Sequence, residues 1–178
     1  MKLTISELEL LKSLVEKYPD FPIQGVTFAD LSLIYTSRKA LDLIKTKIKE
    51  NLLPLNPDCV IGCDARGFII GAIIAEALNL PLVLARKAGK LPGELLNVKY
   101  DLEYGTAELQ MHKHIISRYN SPIIADDVLA TGGTMLAITD MLKSINIIPN
   151  SYFILSEIIG INGREKLEQF APVFSLLK

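Results

Sequence analysis

Residues 123–134 constrain the fold of this chain more than any other segment of its sequence. An apolar run at 121–125, typical of a buried strand, ends in two adjacent carboxylates, and a loop of small residues follows. Apolar residues then recur at helical spacing, beginning with Met135. A strand that leads through glycines into a helix leaves free backbone N–H groups, and the positive end of the helix, facing any ligand. The segment therefore predicts an α/β fold with an anion-binding site at this loop.

The side chains of this segment indicate what the ligand is. Asp126 and Asp127 lie at the predicted carboxyl end of the strand, where open α/β sheets bind their ligands. Adjacent carboxylates suit a pair of vicinal hydroxyl groups, or a Mg²⁺ ion with its waters, and the loop suits a phosphate. We therefore predict a site for a phosphorylated ribose; the alternative is an ordinary turn whose Asp and Thr side chains cap the helix. The loop consists of Ala130, Thr131, Gly132, Gly133 and Thr134.

Composition narrows the class of protein. With 178 residues, of which 49% are apolar, the chain suits one domain with a large core rather than a disordered segment. A net charge of −1 gives no electrostatic case for binding nucleic acid or a membrane surface. Cys59 and Cys63 flank one predicted strand, roughly 13 Å apart, which is too far for a disulfide. Because the sequence shows neither a signal-peptide pattern nor a transmembrane run, we expect a soluble cytoplasmic protein.

A second strand–loop–helix unit begins with the first predicted strand of the chain, at 59–62. The loop contains Asp64, Ala65 and Arg66, and the helix at 68–78 is apolar almost all round, so we expect it to be buried on most faces. Arg66 suits an anion as a clamp, but pairing with Asp64 is an equally good interpretation from local chemistry.

The next predicted strand, at 81–85, ends in a basic run. Its cations are Arg86, Lys87 and Lys90. A basic run is usually a solvated surface. At the sheet edge where the other two loops converge, however, it would also suit a second anion.

The N-terminal part of the chain combines a helix with a proline-containing loop. Ser6 and Glu9 have the spacing of a capping box, which predicts a helix at 7–17. Two prolines exclude regular helix at 18–22. In the loop at 23–30, one interpretation places Phe28 in the core below a connector, and the other stacks it on a planar ligand below a lid. Local chemistry favours the connector.

The third quarter of the chain predicts a hairpin. Alternating apolar residues on either side of a turn at 103–106 predict two antiparallel strands at 96–113. Long excursions of this kind are often mobile lids. His112 and His114 lie near its base, but the absence of a third ligand nearby in the sequence argues against a metal site.

The remaining segments complete an α/β pattern. Strands that alternate with helices predict a parallel-dominated twisted sheet flanked by helices. The last elements are a strand at 151–157, a helical turn that Asn162 would cap, and an edge strand at 172–177.

Together, these stretches resemble one family, the adenine phosphoribosyltransferases, which are type I phosphoribosyltransferases. Residues 125–134 match the family's motif for phosphoribosyl pyrophosphate (PRPP). The resemblance covers nearly the whole chain in order. The other matching stretches are the hood that binds the base at 19–28, the pyrophosphate loop at 64–68, the basic loop at 86–93, the flexible catalytic loop at 102–109, and 163–167 and 174–177.

The resemblance implies a fold, a reaction and an assembly. The fold would be a single type I phosphoribosyltransferase domain over 1–178, with a helix and small hood at about 1–35 and a flexible lid hairpin at about 95–113. The substrates would be adenine and PRPP, the products AMP and pyrophosphate, and the cofactor Mg²⁺. The enzyme would be a homodimer.

The resemblance also implies roles for individual residues. Glu103 would exchange a proton with adenine, Tyr104 would help close the site, and Arg66 would neutralise the leaving pyrophosphate. Mg²⁺ would arrive with PRPP and be held through water by Asp126 and Asp127. The PRPP site would comprise Asp64, Ala65, Arg66, Arg86, Lys87, Lys90, Asp126, Asp127, Ala130, Thr131, Gly132, Gly133 and Thr134, and the adenine site Val26, Thr27, Phe28, Ala29 and Ile158.

The chain departs from the family pattern at three positions. Ala29 and Ala88 stand where the family often has arginine, and Ala65 stands where serine is common. Two other functions fit the same PRPP motif: a phosphoribosyltransferase for another purine base, and a regulator that senses PRPP without catalysis. The regulator would normally carry an added DNA-binding module and would have no use for an acid/base at Glu103, so we favour the enzyme.

Overall fold

A seven-stranded sheet with helices on both faces forms the body of the protein. The structure, a computed structural model, describes residues 1–21, 23–25, 27–102 and 105–178, with backbone alone at 101, 102, 105 and 106. The helices are α1 (Ile5–Ser13), α2 (Ser32–Thr36), α3 (Arg38–Leu52), α4 (Gly67–Leu78), α5 (Lys113–Ile116), α6 (Gly133–Lys143) and α7 (Gly163–Glu168), with a 3₁₀ turn at Leu53–Leu55. The strands are β1 (Glu16–Pro19), β2 (Thr27–Asp30), β3 (Cys59–Cys63), β4 (Leu82–Lys87), β5 (Leu95–Leu102), β6 (Gly105–His112), β7 (Pro122–Leu129), β8 (Ser151–Glu157) and β9 (Val173–Leu177).

The sheet is mostly parallel, as the sequence predicted. Its strand order is β5-β6-β4-β3-β7-β8-β9. Parallel pairs join β4 to β3, β3 to β7, β7 to β8 and β8 to β9, whereas β5, β6 and β4 pair antiparallel. The helices between parallel strands act as crossover connections, which explains why this pattern gives a parallel sheet. The predicted edge strand at the end of the chain is confirmed as β9.

Two apolar cores cover the two faces of the sheet. Successive residues of a strand point to opposite faces, so β8 sends Tyr152 and Ile154 to one core and Phe153 and Leu155 to the other. The first core packs on α6, and the second packs on α1, α3 and α4. No helix in the described ranges is long and apolar enough to cross a membrane.

The N-terminal hood is a small antiparallel sheet rather than the predicted loop. β1 and β2 pair from Glu16 opposite Asp30 to Pro19 opposite Thr27. Pro19 lies at the end of its strand, where a missing N–H is tolerated. The predicted exclusion of helix at 18–22 therefore agrees with the structure, but the loop predicted at 23–30 was wrong over Thr27–Asp30, which form a strand.

The start of α1 also differs from the prediction. Thr4, not Ser6, is the capping residue: its Oγ1 accepts the N–H of Glu7 at 3.3 Å, and its own N–H donates to Glu7 Oε2 at 2.7 Å. Both sites have a hydroxyl residue three positions before a glutamate, so the pattern alone did not distinguish them. The helix ends at Ser13, four residues before the predicted end, and the chain then enters β1.

Two further differences concern elements near the site. β7 continues to Leu129 instead of ending at Ala125, because it pairs with β8 as far as Glu157. The α4 helix is less buried than its composition suggested, since Ile69 remains 45% exposed.

The hairpin at 96–113 is confirmed as β5 and β6, which pair from Leu95 opposite His112 to Leu102 opposite Gly105. Its role as a mobile lid stays a prediction.

The corrected cap leads to a stability prediction. Thr4→Ala removes the oxygen that caps α1 and is expected to lower the free energy of unfolding by about 1 kcal/mol. Ser6→Ala, the matched change at the position that the sequence favoured, is expected to change it by less than about 0.5 kcal/mol. Urea denaturation of both variants checks this, and a larger loss in Ser6→Ala would contradict the cap that the structure assigns.

Candidate active site

A phosphate-sized hollow lies where β7 meets α6. Gly132 precedes the helix with φ of +77°, a left-handed conformation that favours glycine, and no side chain caps the first turn. The first N–H groups of α6 are therefore free to bind an anion. The hollow has a volume of about 110 Å³ and is lined by Asp126, Val128, Leu129, Ala130, Thr131, Gly132, Gly133, Thr134 and Met135. All five predicted loop residues are thus brought together around it, and we call residues 130–134 the phosphate cradle.

A glycine that our sequence analysis did not assign to the site supports the cradle from behind. Gly163, at the start of α7, is buried, and a Cβ on it would overlap the carbonyl oxygen of Ala130. A Cβ on Gly132 would in turn lie 3.3 Å from the carbonyl oxygen of Gly163. The two segments therefore pack backbone against backbone. The sequence signal was the glycine at the start of the 163–167 stretch, but the contact depends on a distant segment.

The two predicted carboxylates have different surroundings. Asp126 lines the cradle, and its Oδ1 accepts the N–H of Asp127 at 2.9 Å. Burial, and next the charge of Asp127, raises the pKa of Asp126 to about 8. Asp127 is 5% exposed, and its Oδ2 lies 2.8 Å from Nε of Arg66. Burial raises the pKa of Asp127 as well, against the opposing effect of Arg66. Both carboxylates are therefore harder to ionise in the ligand-free protein than exposed aspartates are.

Arg66 does not pair with Asp64, which was one interpretation of the local sequence. Besides its ion pair with Asp127, its guanidinium lies over the ring of Phe28, 5.2 Å from the ring centroid. Phe28 belongs to neither apolar core and packs edge-on against Phe21 at 5.3 Å. Arg66 thus contacts both the carboxylate pair and the hood in this arrangement.

The other predicted pyrophosphate residues lie on the loop of Arg66, or on the neighbouring strand β4 and the loop that follows it. Asp64 Oδ2 lies 3.5 Å from Nε of Arg86 and 3.4 Å from the N–H of Lys87, which it accepts. Lys87 and Lys90 are exposed, as is Ala65, whose peptide bond to Asp64 is cis. The exposed cations therefore stand at the same sheet edge as the loop that contains Asp64 and Arg66.

The basic loop is also tied to the hairpin. The N–H of Ala88 donates to the carbonyl of Glu108 at 3.0 Å, and the N–H of Gly89 donates to Gln110 Oε1 at 3.0 Å. A movement of the hairpin would therefore also displace the basic loop.

Three of the predicted adenine residues line a larger cavity between the hood and β8. Ile158 follows β8 directly, and its N–H donates to the carbonyl of Leu129 at 2.9 Å. The cavity measures about 460 Å³, and Thr27, Ala29 and Ile158 line it together with three lysines. Phe28 contacts Arg66 instead. Val26, Glu103 and Tyr104 lie outside the described residues. The lysines are Lys12, Lys17 and Lys178.

A tyrosine near the carboxylates is absent from the predicted site residues. The hydroxyl of Tyr35, on α2, is buried and has no hydrogen-bond partner among the residues that the structure describes. Burial, and next the charge of Asp127, raises its pKa. A tyrosine on a short helix gave no sequence signal for this position.

The fold and the position of the site are those of an open α/β protein with its ligand site at the carboxyl ends of the strands. A phosphate cradle, a carboxylate pair and an arginine loop lie at the carboxyl ends of parallel strands, the usual ligand position in open α/β sheets. Comparison with known proteins agrees: residues 33–148 match the family described as "Phosphoribosyl transferase domain".

Relatives over the full length narrow the family further. The chain is 42% identical over 171 residues to the adenine phosphoribosyltransferase of Geotalea daltonii, and the alignment covers 96% of this chain and 99% of the relative. The solved structure of adenine phosphoribosyltransferase from Thermoanaerobacter pseudethanolicus has a TM-score of 0.89 at 36% identity and covers 96% of this chain and 99% of that one. The enzyme from Saccharomyces cerevisiae, solved in complex with a bisphosphate and adenine, has a TM-score of 0.84 at 33% identity and covers 97% and 99%. The chain belongs to the adenine phosphoribosyltransferase family of type I phosphoribosyltransferases.

The raised pKa of Asp126 predicts how stability depends on pH. A carboxyl whose pKa is raised by folding keeps its proton where the unfolded chain has lost it, so its stabilising contribution is present below its ordinary pKa and is lost as the pH rises through about 8. Asp126→Asn cannot titrate. We therefore expect the ligand-free variant to be more stable than the parent at about pH 8, with a difference that shrinks toward about pH 5.

Urea denaturation across this pH range measures the effect. Asp140→Asn, which changes an exposed aspartate on α6, is the matched control and should follow the parent at every pH. A parallel pH profile for Asp126→Asn and the parent would show that Asp126 is ionised in the ligand-free protein.

Proposed function

We propose that this protein is a cytoplasmic enzyme of purine salvage, which transfers the phosphoribosyl group of PRPP to adenine and releases AMP and pyrophosphate. The observation that carries the proposal is the hydrogen bond between Ile158 and Leu129, because it joins the wall of the base cavity to the strand that ends in the phosphate cradle. One ligand with a base at one end and a 5′-phosphate at the other would fill both. Free, buried thiols at Cys59 and Cys63 support a reducing compartment.

The cradle and the carboxylates would hold the ribose phosphate. Backbone N–H groups of the first turn of α6, with the hydroxyls of Thr131 and Thr134, would bind the 5′-phosphate. Asp126 and Asp127 would accept hydrogen bonds from the ribose hydroxyls. As pyrophosphate leaves, the sugar becomes cationic at C1, and ionised carboxylates nearby stabilise that charge.

Arg66 would change partners when PRPP binds. In the ligand-free arrangement it contacts Asp127 and covers the ring of Phe28. Pyrophosphate is a stronger partner for a guanidinium than one carboxylate, since it offers several charged oxygens. Transfer of Arg66 to the pyrophosphate would free Asp127 for the ribose and Phe28 for the base. Asp64, Ala65, Arg86, Lys87 and Lys90 would complete the pyrophosphate site.

Asp126 and Asp127 suit Mg²⁺ only together with ligands that the substrate supplies. No group of three or more His, Cys, Asp or Glu side chains able to hold a metal occurs in the described part of the chain. Mg²⁺ typically keeps several waters and binds through one or two carboxylates plus substrate phosphates, so Asp126 and Asp127 fit an ion that arrives with PRPP. When bound, it would neutralise charge on the leaving pyrophosphate.

The hood and the hairpin would act on the base. Phe28 and Ile158 would stack on its two faces, while the backbone at Thr27 and Ala29 would read its edge. Glu103 and Tyr104 lie outside the described residues, in the sequence between Leu102 of β5 and Gly105 of β6. Glu103 would exchange a proton with adenine, and Tyr104 would help exclude the water that hydrolyses PRPP.

A base-selectivity assay tests this proposal. Purified protein receives PRPP and Mg²⁺ with one base at a time: adenine, hypoxanthine or guanine. We expect AMP from adenine and no nucleotide from the other two bases. Nucleotide from hypoxanthine or guanine would indicate another base specificity. PRPP binding without product from any base would indicate the non-catalytic regulator.

The same assay tests the acid/base role. Glu103→Ala is expected to lower kcat by about 10²- to 10⁴-fold, with little change in PRPP affinity. The matched change Glu9→Ala, at an exposed glutamate on α1, should leave kcat near that of the parent. A parental kcat in Glu103→Ala would remove this residue from the mechanism.

We also propose that the enzyme is a homodimer that covers the outer face of α4. Ile69 is 45% exposed, and Leu84 on the neighbouring β4 is 38% exposed. Large apolar side chains left in water on an otherwise apolar helix indicate a partner surface.

Sedimentation of the parent protein is expected to give a dimer, and sedimentation of Ile69→Glu a monomer. Ile5→Glu, at an isoleucine on α1 that is 79% exposed, is the control and should stay dimeric. A monomeric parent protein would contradict the proposal.

A further inference from the structure

The guanidinium of Arg164 is the centre of a dense polar cluster at the edge of the sheet. Its Nε donates to both carboxylate oxygens of Glu157, at 2.8 and 3.1 Å, and its Nη2 donates to Glu157 at 2.6 Å and to Ser175 Oγ at 2.8 Å. Its Nη1 donates to Glu168 and to the carbonyl of Val173, both at 2.8 Å. Ser175 also donates to Glu157, at 2.9 Å. One side chain therefore joins α7 to β8 and β9.

The two ends of this cluster are adjacent in sequence to two different parts of the site. Glu157 is the last residue of β8 and directly precedes Ile158, the wall of the base cavity. Gly163 directly precedes Arg164 and packs against the carbonyl of Ala130 in the phosphate cradle. The ion pair between Arg164 and Glu157 therefore spans from the base wall to the back of the cradle.

The chemistry of the cluster suits a rigid connection. Glu157 is 9% exposed, and the fork-shaped guanidinium binds it through two nitrogens, which fixes the angle as well as the distance. A lysine at 164 would keep the charge, but a single ammonium cannot reproduce the fork that reaches Glu157, Ser175 and Val173 together. A change from arginine to lysine therefore tests geometry more than charge.

We propose that Arg164 is a positioning residue that fixes the distance between the base wall at Ile158 and the phosphate cradle. This inference rests on the proposed function, because that function places a base at one end of the site and a 5′-phosphate at the other. A nucleoside monophosphate must fill both ends at once, whereas adenine and ribose 5-phosphate each fill only one. Correct spacing thus matters for AMP and not for its two fragments.

Calorimetric titration of Arg164→Lys with AMP, adenine and ribose 5-phosphate tests the proposal. We expect the Kd of AMP to rise by roughly ten- to a hundredfold, because small misplacements of binding groups are costly. The Kd values of the two fragments should stay within about twofold of the parent, because a lysine keeps a cation beside Glu157, a partner of Arg164 that itself lines the base cavity. Equal weakening of all three ligands, or no weakening of AMP, would overturn the proposal and leave Arg164 a purely structural residue.

Two further variants keep the test decisive. Glu168→Gln removes the partner of the same guanidinium on its own helix, at a side chain that is 47% exposed, and should leave all three Kd values unchanged. Ser175→Ala removes a hydrogen bond to both Arg164 and Glu157 and decides the question if Arg164→Lys does not fold. It should weaken AMP selectively, though less than the lysine variant. A parent protein that binds no AMP would contradict the proposed function instead, so the two failures are distinguishable.

Discussion

Parallel pairing of β3, β7 and β8 is the constraint on which the site depends. Parallel strands end at the same edge of a sheet, so this pairing brings the loop with Asp64 and Arg66, the phosphate cradle and Ile158 to one place. The extension of β7 to Leu129 strengthens this arrangement, because the last residue of the strand then accepts the N–H of Ile158. Backbone hydrogen bonds between strands thus hold the site together.

Close backbone packing is the second requirement. The cradle can present free N–H groups to a phosphate only if its back is filled without side chains, and Gly132 and Gly163 meet that condition together. The Arg164 cluster lies immediately beyond Gly163 and orders the segment that carries it. Buried ion pairs of this kind often add little net stability, so its value in this protein is better sought in geometry.

In the ligand-free protein, charged groups of the site interact with one another or are held neutral. Arg66 contacts Asp127 and the face of the Phe28 ring, and Arg86 lies near Asp64. Burial favours the protonated form of Asp126. A ligand with phosphate, hydroxyl and aromatic parts supplies better partners for each of these groups. Binding would therefore redistribute existing contacts more than create a site from nothing, which links the electrostatics of the free protein to the reaction that we propose.

The sequence by itself determined the class of fold, the position of the cradle and the residues around it, because strand periodicity, glycine loops and carboxylate pairs are local patterns. It also placed the chain in its family, since the motifs occur in order. Tertiary structure alone decided contacts between distant segments: that Arg66 meets Asp127 rather than Asp64, and that Gly163 lies behind Ala130. The choice of Thr4 over Ser6 as the cap shows the same limit on a small scale, since both fit the local pattern and only the structure shows which hydroxyl accepts the N–H of Glu7. Local chemistry depends on residues that are neighbours in the sequence, whereas the partner of a side chain depends on how the whole chain folds.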